Sequence, residues 1–222
     1  MIKSPLKPLY QTVIAVALFL ICKLVTLPLF GLAQTVPIPA LRFFLFLIIK
    51  SSILLVPIIF LQWISPFNTA NPEQEYSTRS FPLLVVLLFA ASNLTMRFTE
   101  MLEANFGWTV PNPRGESMPS NPIEILFVII WVIIIPAVGE EWLFRHQILR
   151  RMEFLGRFQS IVASAIVFGM VHSSPAQMLI ASIGGIFLGI VATGWDLKSA
   201  MILHAGYNGF ILFFGWFFTQ LS

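Results

Sequence analysis

This sequence contains few charged residues. Lysine, arginine, aspartate and glutamate make up only 10% of its 222 residues, whereas 57% are hydrophobic. A soluble domain carries about a quarter charged residues, so the composition excludes an ordinary soluble protein and predicts a membrane protein. The single cysteine, Cys22, excludes an internal disulfide bond. The net charge of +3 is weak support for nucleic-acid binding, because the basic residues lie beside apolar segments, and we expect no such partner.

Internal repeats and low-complexity segments are also missing, and the chain consists mainly of apolar segments near the length of about 20 residues that crosses a bilayer as a helix. Because lipid offers unpaired backbone groups no partner, we predict an all-α, polytopic transmembrane helical bundle of about seven spans, with eight possible. The first span is too long for a cleavable signal peptide, so we expect it to be retained. The candidate spans are about 11–33, 41–64, 81–96, 122–153, 159–173, 177–194 and 199–219.

The basic residues of the connecting segments predict the orientation of the chain, since short inner loops carry an excess of lysine and arginine. A cytoplasmic N-terminus places most of them inside: Lys3, Lys7, Arg79, Arg145, Arg150, Arg151, Arg157 and Lys198, against Arg42, Arg97 and Arg114 outside. Two further lysines, Lys23 and Lys50, fall within predicted spans. For both we expect snorkelling or a local polar partner rather than a functional role.

The fourth span contains the most unusual polar residues of the sequence, the pattern E-E-x-x-x-R at Glu140, Glu141 and Arg145. Residues four apart share a helical face, so Glu141 and Arg145 can pair. Glu140 points about 100° away and is left free as a base or ligand, whereas a purely structural ion pair would leave it unexplained. Pro136 should kink this helix about one turn before Glu140, and Asn121 can cap its start.

Two later spans add imidazoles and an amide. His172 ends the fifth span, and a turn near Leu155–Phe158 would bring it to the same depth as Glu140 in an antiparallel hairpin; the alternative is a histidine buried for packing. His204 and Asn208 lie four apart on one face of the seventh span. Span six carries glycines expected to act as packing surfaces, namely Gly184, Gly185, Gly189 and Gly194.

These side chains could hold one water molecule, which supports two mechanisms. In the first, Glu140 is a general base, His172 orients the water, and His204 with Asn208 donates hydrogen bonds to the oxyanion of a peptide carbonyl. In the second, Glu140, His172 and His204 bind Zn²⁺, and water takes the fourth position. The H-E-x-x-H pattern, the strongest zinc signature in a sequence, is missing.

The three motifs together, Glu140-Glu141-Trp-Leu-Phe-Arg145, Phe168-Gly-Met-Val-His172 and His204-Ala-Gly-Tyr-Asn208, resemble those of the CPBP intramembrane protease family. That family includes type II CAAX prenyl endopeptidases and Abi-type bacteriocin-processing and immunity proteins. The resemblance implies a catalytic core over 120–222 with Glu140, His172, His204 and Asn208 at the reaction centre and Glu141 and Arg145 in support. We expect residues 1–119, which carry no matching motif, to pack with this core as one membrane domain.

The predicted function is therefore an intramembrane endopeptidase that hydrolyses a peptide bond at or near the membrane surface. C-terminal CAAX-like processing is one reaction of this kind that the resemblance suggests. Its partners would be the lipid bilayer, in a bacterial-type plasma membrane, and a peptide substrate whose prenylation the sequence leaves open. One alternative is a non-catalytic bacteriocin self-immunity or scaffold protein. Another is a proton-coupled transporter, which is less favoured because no repeated halves with broken helices are evident.

Overall fold

The computed structural model describes residues 6–64, 77–107, 121–172 and 174–219. All regular structure in these ranges is helical, which confirms the predicted all-α fold. Short 3₁₀ turns lie at Thr78–Ser80 and Glu153–Leu155. The seven helices are α1 (Leu6–Gln34), α2 (Pro39–Ile64), α3 (Phe81–Phe106), α4 (Pro122–Leu149), α5 (Arg157–Met170), α6 (Pro175–Gly194) and α7 (Leu197–Thr219).

Within the described residues, five helices are long and apolar enough to cross a membrane: α1, α2, α3, α4 and α6. The predicted fifth span falls short of this length, because α5 has only 14 residues. Large apolar side chains cover the outside of the bundle; Leu24, Ile59 and Leu94 are 66%, 63% and 73% exposed. Such a surface is stable in lipid and not in water, and it identifies an integral membrane protein.

Helix α3 is longer than the sequence predicted. The expected end at residue 96 is wrong, because the helix continues through a polar stretch to Phe106. Arg97 and Glu100, one turn apart, form an ion pair of 3.0 Å along this extension. The helix ends at Gly107, whose φ of +68° suits a residue without a side chain and whose N–H donates to the carbonyl of Glu103.

Helix α4 contains two wider π-helical segments, Ile129–Ile134 and Trp142–Leu149. Pro136 lies just after the first and has no N–H to donate. In a helix, that N–H would have bonded the carbonyl of Val132 in the α pattern or of Trp131 in the π pattern. Each of these two carbonyls accepts instead from a side chain of another helix. The proline therefore opens α4 to polar contacts one turn before the two glutamates.

Among the residues that the structure describes, the buried apolar side chains form two clusters. One joins α1, α2, α4 and α5, and the other joins α3, α6 and α7. Helices α5 and α6 pack closely through two glycines of the predicted packing surface: a Cβ on Gly185 would lie 3.1 Å from the Cα of Ala165, and one on Gly189 would lie 2.9 Å from Ile161. The same prediction is wrong for Gly184, where a Cβ would meet open space, because this glycine lines a cavity between the clusters.

Candidate active site

The two adjacent glutamates of α4 occupy different environments. The side chain of Glu141 is completely buried and forms the predicted ion pair with Arg145, at 3.2 Å between Oε1 and Nη1. Arg145 is itself buried, donates to the carbonyl of Gly185 at 3.2 Å, and lies 4.4 Å from the ring centre of Phe168. The charge of the guanidinium is thus compensated inside the bundle by a carboxylate, a carbonyl and an aromatic face.

His204 of α7 lies between the two glutamates. Its Nδ1 is 2.9 Å from Oε1 of Glu141, and its Nε2 is 3.9 Å from Oε2 of Glu140. An ionised carboxylate can only accept, so Nδ1 carries a hydrogen and donates to Glu141. The distance of 3.9 Å between Nε2 and Glu140 is too long for a hydrogen bond. Nε2 therefore faces Glu140 without bonding to it. The sequence predicted the pairing of Glu141 with Arg145 but not this second contact, with His204.

A cavity of about 610 Å³ lies beside this cluster. Glu140, His172, His204 and Asn208, the four residues predicted for the reaction centre, all line it. The volume is in the range of sites that bind small molecules or short peptide segments. Much of the remaining wall is apolar and comes from α3, α6 and α7, with Leu88, Phe89, Met96, Leu188, Ile211 and Leu212.

His172 follows the C-terminal end of α5, and its ring is held by Phe168. Its Nδ1 lies 2.8 Å from the carbonyl oxygen of Phe168. Since a carbonyl can only accept, Nδ1 carries a hydrogen, and the Nε2 of the neutral ring can accept a hydrogen bond from water. The Phe168 ring also meets the imidazoles of His172 and His204 edge to face, at 5.0 and 6.2 Å between centroids. The F-x-x-x-H pattern thus positions both histidines.

Asn208 is fixed by the backbone opening that Pro136 creates. Its Nδ2 donates to the carbonyl of Val132 at 3.0 Å. A carboxamide nitrogen carries two hydrogens, so the second remains for a further acceptor at the cavity wall. Pro136 lines the same cavity. The proline that was predicted to kink α4 therefore has a structural consequence, because it leaves the carbonyl of Val132 available as the acceptor that anchors Asn208.

Lys50 of α2 is a cavity residue that the sequence did not predict. Its Nζ donates to the carbonyl of Trp131 at 2.6 Å and lies 4.3 Å from the centre of that indole ring. The expected local polar partner is therefore present, and Lys23 likewise donates to the carbonyl of Val171 at 2.8 Å. The sequence could have suggested Lys50, because it is an ionisable residue inside a predicted span. Lys23 has the same property, and only the fold shows that Lys50 is the one that lines the cavity.

The predicted zinc site requires Glu140, His172 and His204 to converge on one ion, with ligand atoms about 2.0–2.2 Å from it. Among the residues that the structure describes, which include all three, no group of three His, Cys, Asp or Glu side chains is arranged to hold a metal ion. The zinc site therefore stays a prediction, and the proposed reaction has no step that passes through a metal.

Residues 122–210 match the model of a protein family described as type II CAAX prenyl endopeptidase, Rce1-like. The match covers α4 to α6 and most of α7, with every predicted site residue, and it confirms the resemblance carried by the three motifs. Searches of curated proteins and of solved structures gave no significant match. Helices α1 to α3 lie outside the matched region, although α2 and α3 supply part of the cavity wall.

Proposed function

We propose that this protein is an intramembrane endopeptidase that cleaves a peptide bond close to the C-terminus of a membrane-anchored substrate. One observation carries the proposal: an acid, two imidazoles and an amide from separate segments of the chain line a single cavity. Hydrolysis of a peptide bond requires an acid, a base and hydrogen-bond donors to the oxyanion around the same cavity. The family match over residues 122–210 supports the same reaction class.

Glu140 is the general base in this mechanism. Its side chain is 20% exposed and lines the cavity, so water can reach the carboxylate. Nε2 of His172 accepts the second hydrogen of that water and holds the oxygen toward the substrate. Glu140 removes one proton while the water oxygen attacks the carbonyl carbon, and the proton is then passed to the leaving amine as the C–N bond breaks.

His204 and Asn208 stabilise the oxyanion. Nε2 of His204 can donate only when the ring is an imidazolium, since Nδ1 already donates to Glu141. Asn208 contributes the amide hydrogen that Val132 does not use.

The shape and polarity of the cavity favour an apolar substrate tail. Aliphatic side chains, and an isoprenoid group attached beside them, match the apolar wall between α3, α6 and α7. The excess of basic residues predicted for the inner side supports a cytoplasmic N-terminus. We propose that the site is reached from the cytoplasmic surface of a bacterial-type plasma membrane, where a substrate with a CAAX-like C-terminus would arrive. The proposed substrate is therefore a prenylated peptide that ends in a CAAX-like sequence.

The test is a cleavage assay with purified full-length protein in lipid nanodiscs. A farnesylated peptide with a CAAX-like end and its unprenylated counterpart are supplied, and the released C-terminal fragment is identified by mass spectrometry. We expect release of the last three residues, faster from the farnesylated peptide. Folded protein that cleaves neither peptide would contradict the proposal and support a non-catalytic immunity or scaffold role.

Chelation in the same assay separates the two mechanisms suggested by the sequence. Because the reaction proposed here uses carboxylate and imidazole groups alone, we expect full activity after treatment with a zinc chelator and dialysis. Loss of cleavage that returns on adding Zn²⁺, with about one zinc per chain by elemental analysis, would select the metal mechanism instead.

A further inference from the structure

The amine of Lys50 reaches the proposed reaction cavity from α2, a helix outside the region that matches the family model. It lies near the middle of α2, far from the helix ends where lysines usually extend to the membrane surface. The bond to the carbonyl of Trp131 uses one of its three hydrogens, and the indole ring covers one side of the amine.

A charged amine at this depth is costly unless an anion compensates it. In the part of the chain that the structure describes, no carboxylate lies within ion-pair distance of Lys50. The carboxylate of Glu140 lines the same cavity, but its ion-pair contact is with His204. The contacts with Trp131 fix the position of the charge without neutralising it. The cavity therefore holds a pre-positioned cation, whereas Arg145 of the matched region is already paired with Glu141.

We propose that Lys50 binds the C-terminal carboxylate of the peptide substrate and so makes the enzyme selective for a free chain end. The inference rests on the proposed function, since a substrate cleaved near its C-terminus carries this carboxylate on the leaving fragment. The carboxylate is the one obligatory negative charge that such a substrate brings into an apolar cavity, where an unpaired charge is costly. Lys50 supplies the matching charge, and its anchoring to Trp131 lowers the entropy lost on binding.

The same contact would set which bond is cut. The peptide end held at Lys50 and the attacked carbonyl near Glu140 are fixed relative to each other, because Lys50 is bonded to the helix that carries Glu140. Only a bond at a given number of residues from the chain end then reaches the water. A peptide extended at its C-terminus would place its carboxylate elsewhere.

The experiment compares two farnesylated peptides that differ only at the C-terminus, one a free acid and the other an amide. For the wild-type protein in nanodiscs we expect kcat/KM to favour the acid by about tenfold or more. In Lys50→Gln, which keeps a hydrogen-bond donor for Trp131 but removes the charge, this acid-to-amide ratio should fall toward one. The matched control is Lys23→Gln, which removes the other intramembrane lysine bonded to a carbonyl and should leave the ratio unchanged.

Binding of the same two peptides to Glu140→Gln is measured by competition with a labelled peptide. It gives the acid-to-amide ratio of affinities without turnover. Equal kcat/KM values of the wild-type protein for the acid and the amide would overturn the role of Lys50 but not the proposed peptidase function. So would a Lys50→Gln variant that loses activity on both peptides in the same proportion, which would assign the lysine to structure alone. Folded wild-type protein that cleaves neither peptide would instead overturn the proposed function.

Discussion

Glu140 and Glu141 are neighbours in the chain but belong to two different regions of the site, one dry and one open to the cavity. Glu141 has no exposed side-chain surface and has Arg145 and His204 within 3.2 Å of one oxygen. Glu140 is 20% exposed, and its nearest ionisable partner is the Nε2 of His204 at 3.9 Å. A rotation of about 100° between successive helical residues accounts for the separation.

One helix thus supplies both structural support and catalytic groups. The dry side, with Glu141 and Arg145, fixes the imidazole of His204 through Nδ1. The open side, with Glu140 and His172, leaves a carboxylate and an imidazole nitrogen facing the cavity. His204 belongs to both regions. Substitutions on the dry side should therefore act first on stability, and those on the open side first on the reaction.

The largest expected effect is on the open side. Glu140→Gln keeps the size of the side chain but removes the base, and we expect kcat/KM for the farnesylated peptide to fall by about 10²–10⁴-fold. Thermal stability in detergent should be preserved, because Glu140 makes no ion pair shorter than 3.9 Å. Cleavage rates and thermal unfolding of the same preparation check both parts. Near wild-type activity of this variant would remove Glu140 from the mechanism.

The dry side should respond in the opposite way. Arg145→Met leaves the carboxylate of Glu141 buried with the hydrogen bond from His204 but without its arginine. We expect a loss of up to about 3–5 kcal/mol of unfolding free energy, which is the cost of breaking a buried pair. The double variant Arg145→Met with Glu141→Gln removes both charges and should recover part of that loss. Denaturant titrations of the two variants provide the measurement. A single variant as stable as the wild type would show that the ion pair does not hold the bundle together.

Much of this arrangement could be predicted from the sequence because it is local or follows from helix length. Asn121 caps α4 as expected, with Oδ1 accepting from the N–H of Ile123 at 2.9 Å. The pairing of Glu141 with Arg145 follows from their spacing of four. The turn predicted near residues 155–158 lies at Glu153–Gly156, so α4 and α5 form the hairpin that brings His172 to the cavity of Glu140.

The contacts between distant helices could not be predicted. His204 and Glu141 are 63 residues apart, and an apolar helix such as α7 gives no periodic signal for how it is rotated about its axis. The same holds for Lys50 on α2, which carries no motif and whose amine reaches the cavity only because α2 packs beside α4. The end of α3 was missed for another reason: hydropathy marks where a span leaves lipid, not where a helix stops.

The smallest expected effect tests the connection between the two regions at Pro136. Pro136→Ala restores one N–H, which in the α pattern competes with Asn208 for the carbonyl of Val132. An alanine suits a helix interior better by about 3 kcal/mol, and releasing one side-chain hydrogen bond of about 1 kcal/mol offsets part of that gain. We therefore expect a small rise in thermal stability, with kcat lowered several-fold as Asn208 loses its anchor.

Pro28→Ala, at an exposed proline inside α1, is the matched control and should leave kcat unchanged. Equal kcat values for the two variants would show that Asn208 holds its position without the opening in α4.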